Sequence, residues 1–373
     1  MRCDALVIGG GPAGAACAIA LARAGRRVIV LEKARYPRRK VCGEFVAASG
    51  IRELAALGLG ERFAARAGPA VRRLALWTLR AALDAPLPQR HGAPRALERD
   101  TLDTLLLEQA RACGAEVLQP MRALSLERIA GGHLCRARAS REGAPLEIEA
   151  RAVVAAHGSW EPPGELLGFQ AHFAGVRMPE ATIALVPFPG GYAGLVERAG
   201  GRATLACSVR REALERVRPP RTGAGEALQS LLLDHAPALE RALAHAHREG
   251  SWLAAGPLRP GRRPLYRDGV FAVGNAAAEA HPIVGEGIAM ALGSAALLCR
   301  HLAPALAARF GDAEARQVAG RYSLEWRRRF ALRLWSSARL AQLAMLPRAG
   351  AWAERVLSPA PGLLALAARL SGK

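Results

Sequence analysis

The order of apolar runs and helix-like segments at the start of the chain predicts a β-α-β unit. Residues 3–10, CDALVIGG, form a continuous apolar run of the kind found in buried parallel strands, and residues 26–33, RRVIVLEK, predict a second strand. Between them, residues 9–25, GGGPAGAACAIALARAG, have the composition of a helix that ends at Gly25. Two parallel strands joined by a helix are a building unit of open α/β sheets.

A second notable stretch lies far along the chain, at residues 273–292, VGNAAAEAHPIVGEGIAMAL. Small residues, a proline and two closely spaced glycines precede an apolar run with the character of a helix. Such a sequence leaves the backbone bare immediately before a helix N-terminus, where unpaired N–H groups are available to a ligand.

Three glycines of the first unit have the spacing GxGxxG, at Gly9, Gly11 and Gly14. The first allows a tight strand-to-helix turn, the second leaves room for a pyrophosphate beside the backbone, and the third lets helix and strand pack closely. Glu32 ends the second strand, where a carboxylate accepts the hydroxyl groups of an adenosine ribose and repels a 2′-phosphate. The pattern therefore predicts a dinucleotide site whose primary ligand is not NADP.

Length, composition and charge favour a globular protein that does not bind nucleic acid. The chain has 373 residues, of which 51% are hydrophobic, so it is long enough for one large core or two closely packed domains. Its formal charge of +20 comes almost entirely from arginines spread through every segment, and no motif for nucleic-acid binding accompanies them. We expect no nucleic-acid partner.

Cysteine usage and hydropathy point to an intracellular protein without a metal site. The seven cysteines are scattered, with no CxxC pair, which argues against zinc and against a disulfide framework. No apolar run approaches the roughly 20 residues that span a bilayer, and the N-terminus lacks the order of a signal peptide. We expect a cytoplasmic protein.

Four segments, taken in order, resemble one large group of flavoproteins, which contains aromatic hydroxylases, geranylgeranyl reductases and flavin-dependent halogenases. RRKVCGEF at 38–45 resembles the basic segment with CGG or CGE that follows the second strand of that group. LERDTLDTLLLEQARACGAEV at 97–117 resembles its arginine-plus-helix element, and AVVAAHGSW at 152–160 its Asp-Gly motif. GVFAVGNAAAEAHPIVGEGIAMAL at 269–292 resembles its second FAD fingerprint. The resemblance covers roughly residues 1–310.

The resemblance implies an α/β fold: a Rossmann-like, three-layer FAD-binding domain on a parallel sheet, an inserted antiparallel β-sheet substrate domain, and a C-terminal helical segment. We place the discontinuous FAD domain at 1–60, 95–165 and 265–310, the substrate domain at 61–94 and 166–264, and a helical cap at 311–373. Strands are expected around 170–178, 182–187, 192–198 and 203–210, and a helix pair over 224–249.

The same resemblance assigns the cofactor contacts. The residues expected to bind FAD are Gly9, Gly11, Pro12, Ala13, Gly14, Glu32, Lys33, Arg39, Cys42, Gly43, Arg99, Gly158, Gly274, Asn275, Pro282, Gly285, Glu286, Gly287 and Ile288. Within this set, Gly274 and Asn275 are expected at the ribityl chain. A helix over 287–300 is expected to direct its N-terminus at the ring atoms where negative charge collects on reduction.

Two positions depart from the family pattern. His157 stands where the family usually has Asp, and Asn275 replaces a more usual Asp. Asn275 keeps its hydrogen-bonding ability without the charge. Because the Asp-Gly motif of aromatic hydroxylases is associated with NADPH contacts, His157 leaves two sources of electrons open: NADPH or NADH directly, or a separate reductase.

The resemblance also leaves more than one reaction open. The reading we place first is a monooxygenase, which uses a flavin C4a-hydroperoxide to hydroxylate or epoxidise a lipophilic aromatic, polyketide or isoprenoid compound. The alternatives are a reductase or dehydrogenase acting at carbon–carbon bonds, and a flavin-binding protein with a scaffolding or peripheral membrane role. PGGYAGLVE at 189–197 half-matches the geranylgeranyl reductase pattern PxxYxWxFP, and the halogenase pattern WxWxxP is absent.

Four residues are candidates for chemistry at the reacting face: Cys42, Glu44, Tyr192 and His281. A fifth residue near that face, Glu286, is expected to orient its loop rather than to transfer protons. Cys42 and Glu44 flank Gly43 and can present a thiol or carboxyl group beside the ring. His281 is a candidate acid or base at neutral pH, and Tyr192 a candidate hydrogen-bond donor to the substrate. Structural roles in packing and turn formation are the competing interpretation for each of the four.

The C-terminal segment contains Trp326, Trp335 and Trp352 among arginines, which is compatible with weak peripheral membrane association. Packing as a helical cap is the interpretation we favour. The expected partners are a small lipophilic substrate, free or tethered to a carrier, and an electron-donating reductase.

Overall fold

The structure is a computed structural model that describes residues 1–89, 92–139, 143–159 and 164–357. In chain order its strands are β1 (Arg2–Ile8), β2 (Val28–Leu31), β3 (Phe45–Val46), β4 (Arg73–Trp77), β5 (Ala82–Pro86), β6 (Arg95–Ala96), β7 (Glu116–Leu118), β8 (Arg122–Ile129), β9 (Gly132–Arg138), β10 (Leu146–Ala155), β11 (Leu166–Ala174), β12 (Thr182–Phe188), β13 (Gly191–Glu197), β14 (Arg202–Arg210), β15 (His247–Leu258), β16 (Gly261–Arg262), β17 (Tyr266–Arg267), β18 (Val270–Ala272) and β19 (Ala278–Glu279).

The helices are α1 (Pro12–Arg23), α2 (Ala48–Ala56), α3 (Gly60–Ala64), α4 (Arg99–Ala112), α5 (Arg211–Val217), α6 (Ala224–His235), α7 (Pro237–Leu243), α8 (Gly287–Ala307), α9 (Asp312–Ala344) and α10 (Ala349–Leu357). Short 3-10 helices occupy Gly274–Ala276 and Pro282–Val284.

The first large sheet is built on parallel strands, as the apolar runs at the N-terminus predict. Its order is β17-β18-β10-β1-β2-β7, and the hairpin β8–β9 continues from β10. In its centre Leu6 pairs with both Ile29 and Val153, and all three side chains are buried. Burial on both faces explains why these strands read as continuous apolar runs rather than as alternating ones.

The second large sheet has the order β15-β11-β14-β13-β12-β4-β5 and is antiparallel except where β12 pairs with β4. One face carries Phe169, Leu205 and Leu195, which pack on helices α5 to α7. The opposite face carries Gln170, Thr204 and other polar or small side chains at the alternate positions. This inner face lies over the segment at 42–45, to which it is hydrogen-bonded.

Helix α8 packs among three other helices beside the first sheet. α8 packs against α1, α2 and α9, and its side chains form much of the main core. By length and composition alone α8 could cross a membrane, but 67% of its most apolar window is buried inside the protein. It is therefore the central helix of a packed core here.

The α/β fold class expected from the sequence is confirmed. The helix pair expected over 224–249 was wrong at its end, because residues from His247 onward form β15 and pair with β11. The strand expected at 170–178 instead runs from Leu166 to Ala174, and Gly175, at a φ of +76°, ends it. The expected domain boundaries stay a prediction, and residues 358–373 of the expected cap lie outside the described residues.

Candidate active site

The carboxyl ends of the central strands meet at one edge of the first sheet. Three backbone hydrogen bonds join the residues that leave these strands: Gly9 N–H to Leu31 O, Ala156 N–H to Ile8 O, and Val273 N–H to Ala155 O, at 2.8, 2.8 and 3.0 Å. The three turns therefore lie side by side. In open α/β sheets this edge is where ligands bind.

Close backbone contacts explain two of the glycines at this edge. Gly9 has a φ of +113°, and a Cβ there would lie 2.4 Å from the carbonyl oxygen of Ala156. A Cβ at Gly14 would lie 1.8 Å from the carbonyl oxygen of Gly9. Any side chain at either position collides with backbone, so both glycines are required by packing alone.

Other glycines border open space instead. A Cβ built at Gly11, Gly43 or Gly287 would meet no atom within 4 Å. Gly11 is the N-cap of α1 and Gly287 the first residue of α8, and neither helix has a side-chain hydrogen bond at its cap. Two helix N-termini without side-chain caps thus border open space, and each carries the positive end of a helix dipole.

Positive side chains surround the turn at Gly158. Burial, together with the neighbouring charges of Arg99 and Arg38, lowers the pKa of Lys40 to about 8. Partial burial, and then the charges of Lys33 and Arg263, lower the pKa of His157. The Lys40 Nζ lies 3.4 Å from the position of a Gly158 Cβ. The edge therefore holds an excess of positive charge that an anion would relieve.

Glu32 is buried beside Gly10, in the glycine turn that follows β1. It is 3% exposed and accepts hydrogen bonds from the N–H groups of Gly10 and Ala34, both at 2.8 Å. The sequence places it at the end of β2 for contact with a ribose, and the structure keeps its carboxylate at that strand end. These bonds fix the carboxylate beside the glycine turn.

The second glycine-rich stretch meets the first. Gly274, at a φ of +59°, packs so closely that its Cβ would lie 2.8 Å from that of Ala13. Asn275 donates from Nδ2 to Ser159 Oγ at 3.0 Å. Gly285, at a φ of +65°, lies against the ring of Phe45. Two turns from opposite ends of the sequence thus converge, as the sequence predicts.

Remaining positions around this stretch have different environments. Pro282 begins a 3-10 helix, and Ile288 is buried in the first turn of α8. The carboxylate of Glu286 is fully buried and accepts from Arg333 of α9 at 3.0 Å. Arg39 points elsewhere: its Nη1 lies 3.5 Å from the position of a Gly250 Cβ on β15. The structure therefore does not bring Arg39 to the glycine turn.

Arg99 forms a buried two-bond ion pair with Asp103, at 2.9 and 2.7 Å. Despite burial, the charge and hydrogen bonds of Asp103, together with those of Cys42, raise its pKa further. Its guanidinium therefore lies beside the Cys42 thiol with its charge fixed. Cys42 itself is half-buried, next to the open backbone of Gly43.

Glu44 joins this segment to the second sheet. Its carboxylate, 2% exposed, lies 3.0 Å from His172 Nε2 and accepts from Thr204 Oγ1 at 2.6 Å and from the Arg99 N–H at 3.2 Å. Burial alone raises the pKa of Glu44, but the hydrogen bond and attraction of His172 and the hydrogen bond of Thr204 outweigh it, so the net pKa is lowered. With all its partners internal, Glu44 positions the segment.

Tyr192 and His281, which are far apart in the sequence, form a hydrogen-bonded pair. The Tyr192 hydroxyl lies 2.6 Å from His281 Nδ1, and the ring centroids are 5.5 Å apart. Burial lowers the pKa of His281 to about 4 and raises that of Tyr192. At neutral pH the imidazole and the phenol are therefore both uncharged, and a hydrogen bond joins them.

Sequence reasoning missed the residues that hold Glu44 and Cys42 in place. These are His172, Thr204 and Gln170, whose Oε1 accepts from the Cys42 N–H at 3.2 Å. All three are buried polar residues on strands of the second sheet. The available signal was their alternation with Phe169, Ala171 and Leu205, which puts polar side chains on one buried face and calls for partners there.

Comparisons with known proteins identify the fold and the family. The chain matches the family model described as "FAD binding domain" over residues 2–316. Digeranylgeranylglycerophospholipid reductase 2 of Methanopyrus kandleri is 30% identical over 338 residues, which cover 83% of this chain and 77% of that protein. The chain belongs to the FAD-binding-domain family.

This FAD-binding protein also resembles a second curated relative and a solved structure. Menaquinone reductase of Mycobacterium tuberculosis is 31% identical over 169 residues, so the match spans 45% of this chain but only 41% of that protein. The structure of the flavin-dependent brominase Bmp2 superposes with a TM-score of 0.80 at 18% identity, covering 100% of this chain and 94% of the other. At 18% identity this likeness shows a shared fold, and the family match makes this chain a FAD-binding protein.

The residues present fit FAD. The open space at Gly11 borders the N-terminus of α1, next to the cationic turn of Lys40, and suits a diphosphate. The open positions at Gly43 and Gly287 border the Cys42 segment and the N-terminus of α8, where a flavin ring that gains negative charge on reduction is favoured. A Cβ at any of the three would fill space that the packing leaves free.

Proposed function

We propose that the protein is a FAD-dependent reductase that saturates carbon–carbon double bonds of a lipophilic isoprenoid compound. The observation that carries this proposal is the similarity to a digeranylgeranylglycerophospholipid reductase over more than three quarters of both chains. From the sequence alone, oxygenation is the expected reaction and reduction the alternative. That order is reversed here because a curated relative that matches over more than three quarters of both chains is a reductase.

The inner face of the second sheet supports a lipophilic substrate. Tyr192, Gly194 and Val196 share that face of β13, and Gly194 is partly exposed there. Around Tyr192 the wall is apolar, with Leu166 and Met345 packed against it. A hydrocarbon chain bound in this region would gain about 25 cal/mol of binding free energy for each Å² of apolar surface removed from water.

Saturating a double bond requires a hydride for one carbon and a proton for the other, and reduced FAD supplies the hydride when bound. Cys42 is the candidate proton donor, because its thiol is half-buried beside the open backbone of Gly43. Arg99 and Gln170 hold the segment from two sides. Tyr192 keeps its proton and can orient a polar group of the substrate, while neutral His281 fixes the direction of its hydroxyl.

A second candidate function is the monooxygenase of the sequence analysis. What favours it is the departure from the reductase pattern at Gly194, Val196 and Glu197, which stand where that pattern has Trp, Phe and Pro. For either reaction NADPH, NADH or a separate reductase remains the proposed source of electrons. A carrier-tethered substrate and a cytoplasmic location stay predictions.

The two reactions separate under strict anaerobiosis. We would reduce the FAD-loaded protein with dithionite, add geranylgeraniol as a probe, and analyse the product by mass spectrometry. A reductase adds two hydrogen atoms per double bond without oxygen. No anaerobic product, together with incorporation of one labelled oxygen atom from ¹⁸O₂ in air, would replace the reductase by the monooxygenase.

The role of Cys42 is tested in the same assay. Cys42→Ser should lower anaerobic product formation at least about tenfold while leaving flavin content unchanged, because the less acidic hydroxyl delivers a proton more slowly. Cys113→Ser, at another half-buried thiol in the FAD-binding part, is the matched control. Equal turnover of the Cys42→Ser variant and the wild type would remove Cys42 from the reaction.

A further inference from the structure

Helix α9 carries a row of exposed apolar side chains along its outer surface. Leu324, Leu332, Trp335, Leu343 and the following Leu346 are 52, 66, 60, 45 and 51% exposed. At about 100° of rotation per residue, these five positions fall within an arc of about 100°. They are spread over about 30 Å along one side of the helix, and we call these five residues the α9 stripe. Isolated exposed leucines are common on proteins, but a row of this length is not.

The stripe is not a by-product of a poorly packed helix. The opposite face of α9 is firmly buried, with Tyr322, Trp326 and Phe330 each no more than 2% exposed. Trp326 therefore belongs to the core, although its sequence neighbourhood resembles that of the exposed Trp335 and Trp352. α9 thus has two apolar faces, of which the described residues cover one.

The charges along the stripe are of one sign. Arg321, Arg328 and Arg339 are exposed within the same arc, and the Arg339 guanidinium lies 5.8 Å from the centre of the Trp335 ring. From 316 to 348 the sequence has eight arginines and one acidic residue, Glu325. That carboxylate is engaged by Arg300 and His301 of α8, at 3.0 and 2.9 Å. The outer face of α9 is therefore apolar and cationic together.

One end of the stripe adjoins the candidate active site. Ala341 and Met345, on the inner side of the last turns of α9, pack with Tyr192 and Leu166 in one buried cluster. Leu343 and Leu346 lie on the outer side of the same turns. A surface that docks along the stripe is thereby brought next to the wall formed by Tyr192.

We propose that the α9 stripe docks the protein on an anionic phospholipid bilayer, with α9 lying in the plane of the interface. Leucine and tryptophan on one side of a helix bury in the boundary between headgroups and acyl chains, and arginines beside them pair with anionic headgroups. Charge complementarity selects a membrane over a second copy of this chain, because two such cationic faces repel each other. The docking extends beyond the proposed reaction and does not depend on it.

The test is co-sedimentation of the full-length, FAD-loaded protein with phosphatidylcholine vesicles that contain or lack phosphatidylglycerol. We expect binding to the anionic vesicles and at least about tenfold weaker binding for the double variant Leu332→Glu/Trp335→Glu. The matched control is Leu124→Glu, because Leu124 is 49% exposed on β8, outside the stripe, and its variant should bind like the wild type. Flavin content and circular dichroism show that each variant is folded.

A second pair of variants keeps the proposal testable if the first misfolds. Arg328→Gln and Arg339→Gln should each weaken binding to anionic vesicles about fivefold and leave the residual binding to neutral vesicles unchanged. Wild-type protein that stays in the supernatant with anionic vesicles would overturn the proposal. So would a dimer in light scattering that Trp335→Glu dissociates, or binding confined to an acidic acyl-carrier protein.

Discussion

Acid should destabilise this protein through His281, and the size of the effect follows from its burial. Desolvation lowers the pKa of His281 from the ordinary 6.5 to about 4. Between these values the unfolded chain binds a proton on this ring and the folded chain does not, so stability falls as pH falls through this window. The difference of about 2.5 corresponds to about 3 kcal/mol, at about 1.4 kcal/mol for each pH unit. Above pH 6.5 the contribution is complete and no longer changes.

A difference measurement isolates this residue from the carboxylates that also titrate in acid. His281→Asn keeps a hydrogen-bonding group beside the Tyr192 hydroxyl but does not titrate. We would measure urea unfolding of the wild type and the variant, with the flavin oxidised, at several values between pH 7.5 and 4. The wild type should lose about 3 kcal/mol more than the variant over this range. Stability curves that run parallel would refute the reasoning, because they would mean that folding does not desolvate the ring.

Three further predictions test the cofactor site, the substrate face and electron entry. Gly11→Val should give a folded but colourless protein, because the valine side chain enters open space that the diphosphate of FAD needs. The control Gly320→Val, at an equally open position on α9, should stay yellow. A Gly11→Val protein that binds FAD at full stoichiometry would contradict the assignment of Gly11 to the diphosphate site. Gly194→Trp should lower kcat/KM for a long prenyl substrate more than for a short one, with Gly194→Ala nearly unchanged, since the nearest atom to a Cβ there is 3.7 Å away. NADPH should bleach the wild-type flavin slowly under anaerobiosis and His157→Asp faster, and rapid bleaching of the wild type would remove the role we infer for His157.

Local sequence was sufficient for the parts of the fold that depend on neighbours in the chain. The β-α-β unit follows from two apolar runs and a glycine spacing within the first 33 residues. The reason is physical: Gly9 and Gly14 face backbone at distances that admit no other residue. The β-α-β unit and its glycine turn can therefore be predicted from the first 33 residues alone.

Features that depend on contacts between residues far apart in the sequence could not be predicted in the same way. The segment that begins at His247 contains arginine and glutamate and follows a helix, so its helical interpretation was reasonable, but pairing with β11 determines its conformation. Trp326 and Trp335 look equivalent in sequence, nine residues apart, yet one is buried and the other exposed. Which face of α9 meets α8 is a tertiary property, so composition alone could not separate the two tryptophans.

Glu44 shows how tertiary partners can maintain a residue that local preference disfavours. Its φ of +56° lies in the left-handed region, which costs a residue with a side chain about 1 kcal/mol and which glycine enters freely. Hydrogen bonds from Thr204 and Arg99, together with His172, are each worth more than that when made to a buried carboxylate. The family pattern of CGG or CGE at this segment then has a physical reading: glycine removes the strain, whereas glutamate accepts it and ties the segment beside Cys42 to the second sheet. In this chain the second sheet therefore holds the segment of Cys42 and Glu44 in place.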